Sequence, residues 1–158
     1  MSANIVPLTF GTETDTSIIG PALFNGVVGI KPTVGLTSRS GVIPIAESLD
    51  TVGPFGRTVV DAVLGLNATV GTDEQDASTL SESRKEEKDY ARFLSTKDAL
   101  KGAKFGLPWK RCWEAVSEDQ KKVACRMFDA IREAGAEIIR TEFPCAETRI
   151  PEDGSWDW

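Results

Sequence analysis

Residues 103–140 constrain the fold of this chain more than any other stretch. Ala103-Lys104-Phe105-Gly106-Leu107 alternates in polarity and stops at Pro108, as a strand does. Ser117-Glu118-Asp119-Gln120 reads as a helix start, with Ser117 at the N-cap and Gln120 placed to reach back to the cap. Val123, Met127, Ala130, Ile131 and Ala134 recur at helical spacing, joined by Ala124 and Phe128, and predict the buried face of that helix. Gly135 ends it, and Ala136-Glu137-Ile138-Ile139-Arg140 reads as a second strand. Strand, helix and strand in this order predict a βαβ unit, with parallel strands and a right-handed crossover. The fold class is therefore α/β, and no internal repeat competes with that reading.

The preceding residues are more broken. Residues 5–10 predict a short strand, and Val27-Val28-Gly29-Ile30, closed by Lys31-Pro32, predicts a buried one. Residues 35–56 are punctuated by Gly and Pro and predict a long loop, in which Asp50 and Arg57 make structural contacts. Thr58 is a candidate N-cap with Asp61 three residues on. Val59, Val63, Leu66 and Val70, widened by Val60, Ala62 and Leu64, predict a helix that Gly71 closes. Residues 72–87 are polar and acidic and predict a solvated loop without the spacing of a Ca²⁺-binding loop. Residues 84–94 predict a helix with Tyr90, Phe93 and Leu94 as its apolar contacts. Trp109 and Trp113 suit packing better than stacking on a substrate.

Composition excludes several function classes. The chain has no histidine, which removes Ser-His-Asp and Cys-His catalysis and His-based zinc sites. Any acyl-transfer base must be Lys, Asp or Glu. Net charge is −6 without a Lys/Arg-rich run, so nucleic acid is not an expected partner. The most basic cluster, residues 101–111, reads as a solvated surface. No apolar run is long enough to span a membrane, and residues 1–10 lack the pattern of a secretory signal. Cys112, Cys125 and Cys145 are widely spaced, which disfavours a metal site or a disulfide framework and fits free thiols in a cytoplasmic protein. With 158 residues the chain is long enough for one domain with a core.

The chemistry is concentrated in Gly11-Thr12-Glu13-Thr14-Asp15-Thr16-Ser17-Ile18-Ile19-Gly20-Pro21-Ala22. A serine in a tight turn can present its hydroxyl and the neighbouring N–H groups to one point, as acyl transfer requires. The same residues can also make a plain polar turn through local side-chain bonds. The segment resembles the serine motif of the amidase signature family, G-T-D/E-T-G/D-G-S-I-x-x-P-A. Gly26-Val27-Val28-Gly29-Ile30-Lys31-Pro32-Thr33, Gly35, Ser38, Gly41, Pro44 and the run from Ser48-Leu49-Asp50 to Gly56-Arg57 continue the match. The likeness extends to fungal-type amidases and to the amidase subunit of glutamyl-tRNA amidotransferase. It is clear over residues 9–76 and weaker to 158.

The resemblance implies a mixed β-sheet flanked by helices, and hydrolysis or transfer of a carboxamide by a Ser–cis-Ser–Lys triad without metal or organic cofactor. Ser17 would be the nucleophile, and the N–H groups of Thr14, Asp15, Thr16 and Ser17 the oxyanion hole. A small amide would be the substrate. Two residues depart from the pattern. Thr16 stands where the family has glycine, a poor choice if the backbone there needs positive φ. Ile19 stands where Arg is frequent. The family's Lys and cis-Ser lie upstream of the nucleophile, and residues 1–16 contain no Lys and no Gly-Ser-rich loop. Lys31 is a weak substitute, because it matches a different lysine of the family, and nothing local marks Ser38 or Ser40 as catalytic. The expectation is one partial amidase domain over 1–158, cut at both ends, with a nucleophile loop and core at 1–76 and a peripheral βαβ portion at 84–158. Alone it would be inactive. The alternative is a non-catalytic fragment or interaction module, for which Trp156 and Trp158 would offer a surface.

Overall fold

The computed structural model describes residues 1–81, 87, 89–95, 98–109, 113–114 and 116–142. They fall into two compact units, 1–95 and 96–158. In the first, β1 (Leu8–Glu13), β2 (Val28–Gly29) and β3 (Thr51–Gly56) form an antiparallel sheet in the order β1-β3-β2. The β1–β3 register runs from Leu8 opposite Gly56 to Glu13 opposite Thr51. This ladder corrects the strand expected at 5–10: the pairing draws Gly11-Thr12-Glu13 into the strand, so the turn begins only at Thr14.

β3 is central yet carries the fully buried Pro54. Proline lacks a ladder donor and is usually excluded from such a strand. Here β2 pairs only with Phe55 and Gly56, and the Pro54 carbonyl takes the Ile30 N–H at 3.1 Å just beyond that short ladder. Gly53 must be glycine for space, because a Cβ there would lie 2.0 Å from the Ile30 carbonyl oxygen. The strand expected at 27–30 is thus only two residues long and half-buried.

Helix α1 (Ile19–Asn25) follows the serine turn, and α2 (Val59–Thr69) packs on β3. The α2 N-terminus is closed by a reciprocal cap: the Thr58 hydroxyl accepts from the Asp61 N–H, and the Asp61 carboxylate accepts from the Thr58 N–H. The C-terminus differs from expectation. The helix stops at Thr69, and Val70 turns extended to bridge with Thr37, which ends it before Gly71 can. Ile18, Ala22, Leu36, Ala62 and Leu66 form the core of this unit.

The second unit contains β4 (Lys104–Pro108), α3 (Glu118–Glu133) and β5 (Glu137–Thr141), with β4 and β5 parallel as predicted. Ser117 and Gln120 make the expected capping box, and Gly135 leaves α3 at φ +92°. The face of α3 is corrected. Ala124, Phe128 and Ile131 are half-buried, whereas Ala130 and Ala134 are exposed and Val123 and Met127 are 59% and 54% exposed. Trp113 packs on Phe128 at 5.5 Å and on Trp109 at 5.7 Å, with the Arg140 guanidinium 4.0 Å over Trp109, so these tryptophans pack. The helix expected at 84–94 is a 3₁₀ turn at Tyr90–Ser95, with residues 84–86 and 88 outside the described residues. So are Lys110 and Arg111 of the basic cluster, Cys112, Cys145, Trp156 and Trp158.

Candidate active site

The strand-to-helix turn that carries Ser17 is held at three points. Glu13, the last residue of β1, is 3% exposed, and its Oε2 accepts from the Ile18 N–H at 2.6 Å and the Ile19 N–H at 2.8 Å. These are otherwise orphan donors at the start of α1. Their capture folds residues 14–17 into a closed loop between β1 and α1. At the first residue of that loop the Thr14 hydroxyl donates to Asp50 Oδ1, while Asp50 Oδ2 accepts from the Ile45 and Ala46 N–H groups at 2.8 and 2.9 Å. The Thr14 hydroxyl and these two N–H groups hold the Asp50 carboxyl below its ordinary range. At the other side, the Gly20 N–H donates to the Thr16 carbonyl at 2.7 Å.

Ser17 is exposed, and its hydroxyl makes one long bond, donating to the Asp15 carbonyl at 3.4 Å. Thr16 stands at φ +66°, the left-handed conformation that the sequence makes costly. Among the described residues, the N–H groups of Asp15, Thr16 and Ser17 meet no acceptor. The Ser17 hydroxyl and these N–H groups therefore belong to one short loop whose ends are fixed. Lys31 is not directed at this loop by any bond: its Nζ donates to the Leu49 carbonyl at 3.2 Å. Ile19, where a positive charge is frequent in the family, is 52% exposed.

A second polar cluster supports the loop behind Asp50. Asp76 lies 7% exposed, and its two oxygens take Arg39 Nε and Nη2 at 3.0 Å each, a fork-like pair, along with the Arg39 N–H at 2.9 Å. The guanidinium holds the Asp76 carboxyl far below its usual range, and the same bond raises Arg39. Arg39 Nη1 donates to the Glu47 carbonyl, three residues before Asp50. Ser38 donates to Asp73, lowering that carboxyl, and Ser40 donates to Gln75, so both serines are structural. The acidic run is the solvated loop expected at Glu74 and Gln75 but not at Asp76, which is buried on Arg39, nor at Thr79, which is buried on the Asp73 and Asp76 backbone. A cavity of about 190 Å³ lies on Arg39, Pro44, Glu47, Asp50 and Asp76, and Ser17 is not in its lining. Arg57, expected to bond within the loop, instead donates to Asn4 Oδ1. Among the described residues no three Asp, Glu or Cys side chains gather as a metal site, and no helix is long and apolar enough to cross a membrane.

The model of the family described as Amidase matches residues 1–153. The chain belongs to the amidase family. A Schizosaccharomyces pombe protein assigned to the amidases is 48% identical over 161 residues, covering 100% of this chain and 27% of that protein. A glutamyl-tRNA(Gln) amidotransferase subunit from Fusobacterium nucleatum is 38% identical, covering 96% of this chain and 30% of its own length. The native peptide amidase of Stenotrophomonas maltophilia superposes with a TM-score of 0.83 at 39% identity, over 91% of this chain and 29% of that one. The chain thus spans under a third of the relatives it matches, and its α/β fold is that of part of an amidase domain. Within the amidase motif, sequence reasoning placed Ser17 but did not assign Glu13 or Asp50 to its support. The motif contains Glu13, yet only the fold shows which donors that carboxylate takes.

Proposed function

We propose that this chain supplies the nucleophile and the oxyanion donors of an amidase that cleaves a carboxamide C–N bond. Ser17 Oγ would attack the carbonyl carbon, and its proton would pass to a base. The tetrahedral oxygen would be received by N–H groups of the 14–17 segment, Thr14, Asp15, Thr16 and Ser17. Loss of the amine leaves an acyl group on Ser17, which water or another amine then removes. The observation that carries this reading is the exposed Ser17 hydroxyl beside three N–H groups without an acceptor among the described residues.

The base is the part that residues 1–158 do not provide within the motif. The family likeness assigns it to a Lys acting through a cis-Ser upstream of the nucleophile, and residues 1–16 contain no Lys. A serine without its base is a weak nucleophile. We therefore expect the isolated chain to be close to inactive and to need further segments of an amidase domain. A second reading, a non-catalytic interaction module, draws on α1, whose Leu23 and Phe24 are 76% and 88% exposed directly after the serine turn. Intact-mass analysis after exposure to a fluorophosphonate probe tests the two. A single adduct on the wild type, absent from Ser17→Ala, supports an activated Ser17. A chain that takes no adduct even at high probe concentration means that Ser17 is inert without further segments, whether the chain is part of an amidase or an interaction module.

A further inference from the structure

We propose that the side chain of Thr16 is a positioning element that fixes the direction of the N–H groups beside Ser17. The proposal rests on the reading of Ser17 as nucleophile and adds a role that glycine at this place could not fill. Thr16 lies at φ +66°, a region that β-branched residues rarely enter. Two hydrogen bonds hold it there. The Gly20 N–H donates to its carbonyl at 2.7 Å. Its hydroxyl donates to Asp15 Oδ1 at 3.0 Å. Its methyl Cγ2 lies 3.0 Å from the point where a Cβ on Gly20 would stand, so a side chain at residue 20 would crowd the methyl. The Thr16 N–H takes part in none of these bonds.

The consequence is a loop with few ways to turn. Glycine enters regions of both positive and negative φ almost equally, so a glycine at position 16 lets the flanking peptide units rotate. Threonine has its hydroxyl tied to the Asp15 side chain and a branched Cβ that narrows its φ range, while its carbonyl takes the Gly20 N–H. Catalysis through fixed donors depends on their being in place before charge develops. The strained residue is thus the restraint on the donors.

Two measurements on the purified chain test this. The first is the second-order rate constant for fluorophosphonate labelling of Ser17 in wild type, Thr16→Gly and Thr16→Ser. Loosened donors should slow labelling about tenfold in the glycine variant. The serine variant keeps the hydroxyl but loses the methyl and should fall between the two. The thermal midpoint of the glycine variant should not fall, because glycine tolerates φ +66°, so the loss is not one of folding. The second is ¹⁵N relaxation of the amides at 15–17, which needs no chemistry. Fast-timescale motion should rise in Thr16→Gly. Where the wild type labels, a glycine variant labelled at the same rate would overturn the proposal, and in every case so would wild-type amides already as mobile as the variant's. A wild type that does not label, but whose ordered amides loosen in the glycine variant, would support the restraint while removing Ser17 as an activated nucleophile.

Discussion

At the residue scale the serine loop depends on buried carboxylates more than on hydroxyls. Glu13 satisfies two backbone donors from a buried position, and hydrogen bonds to a charged acceptor contribute about 1.5–3 kcal/mol each. Glu13→Ala is expected to lower stability in urea unfolding by about 3 kcal/mol and to abolish any labelling of Ser17. A variant with wild-type stability would show that these two N–H groups find other acceptors. Asp76 makes a pH-dependent prediction. Its folded pKa lies below its unfolded value, near 3.9. Its contribution is therefore fully present above about pH 4 and is lost as pH falls further. Asp76→Asn leaves Arg39 without its charged partner and should cost about 3 kcal/mol at pH 7. The gap between wild type and variant should shrink at pH 3, and a gap that did not change with pH would contradict the ion pair.

At the element scale the helix caps were read correctly, and the element ends and the α3 face were not. The caps of α2 and α3 each lie within four residues, so Thr58–Asp61 and Ser117–Gln120 were legible before any fold existed. Thr58→Ala should cost about 1 kcal/mol. The α3 face failed because two apolar stripes run along that helix, and periodicity cannot choose between them. Phe128 sits on the inner stripe against Trp113, while Met127 is more than half exposed. Thermal unfolding should show Phe128→Ala losing about 2–3 kcal/mol and Met127→Ala under about 1. Equal losses would restore the face that the spacing predicted. Asp76, in the acidic run at 73–76, was misread for a related reason. Charge alone suggests solvent, and the partner that buries Asp76 lies 37 residues away in sequence.

At the scale of the whole molecule the chain carries less than a third of an amidase's length, and its activity should reflect that. Turnover of a simple primary amide by the isolated chain should be no more than trace. Robust turnover that disappears in Ser17→Ala would mean that a group within these residues replaces the upstream base. The sequence by itself determined the family motif, the α/β class, the parallel strand pair and the helix caps. All of these rest on residues close along the chain or on a pattern of period and spacing. Only the tertiary structure decided where β1 ends, which α3 face is buried, and that Glu13, Asp50 and Asp76 hold the serine loop and its support. The Thr14–Asp50 and Arg39–Asp76 bonds join residues 36 and 37 apart. Contacts across such distances leave no mark in spacing or composition, because they form only when antiparallel pairing and burial bring the segments together and remove competing water.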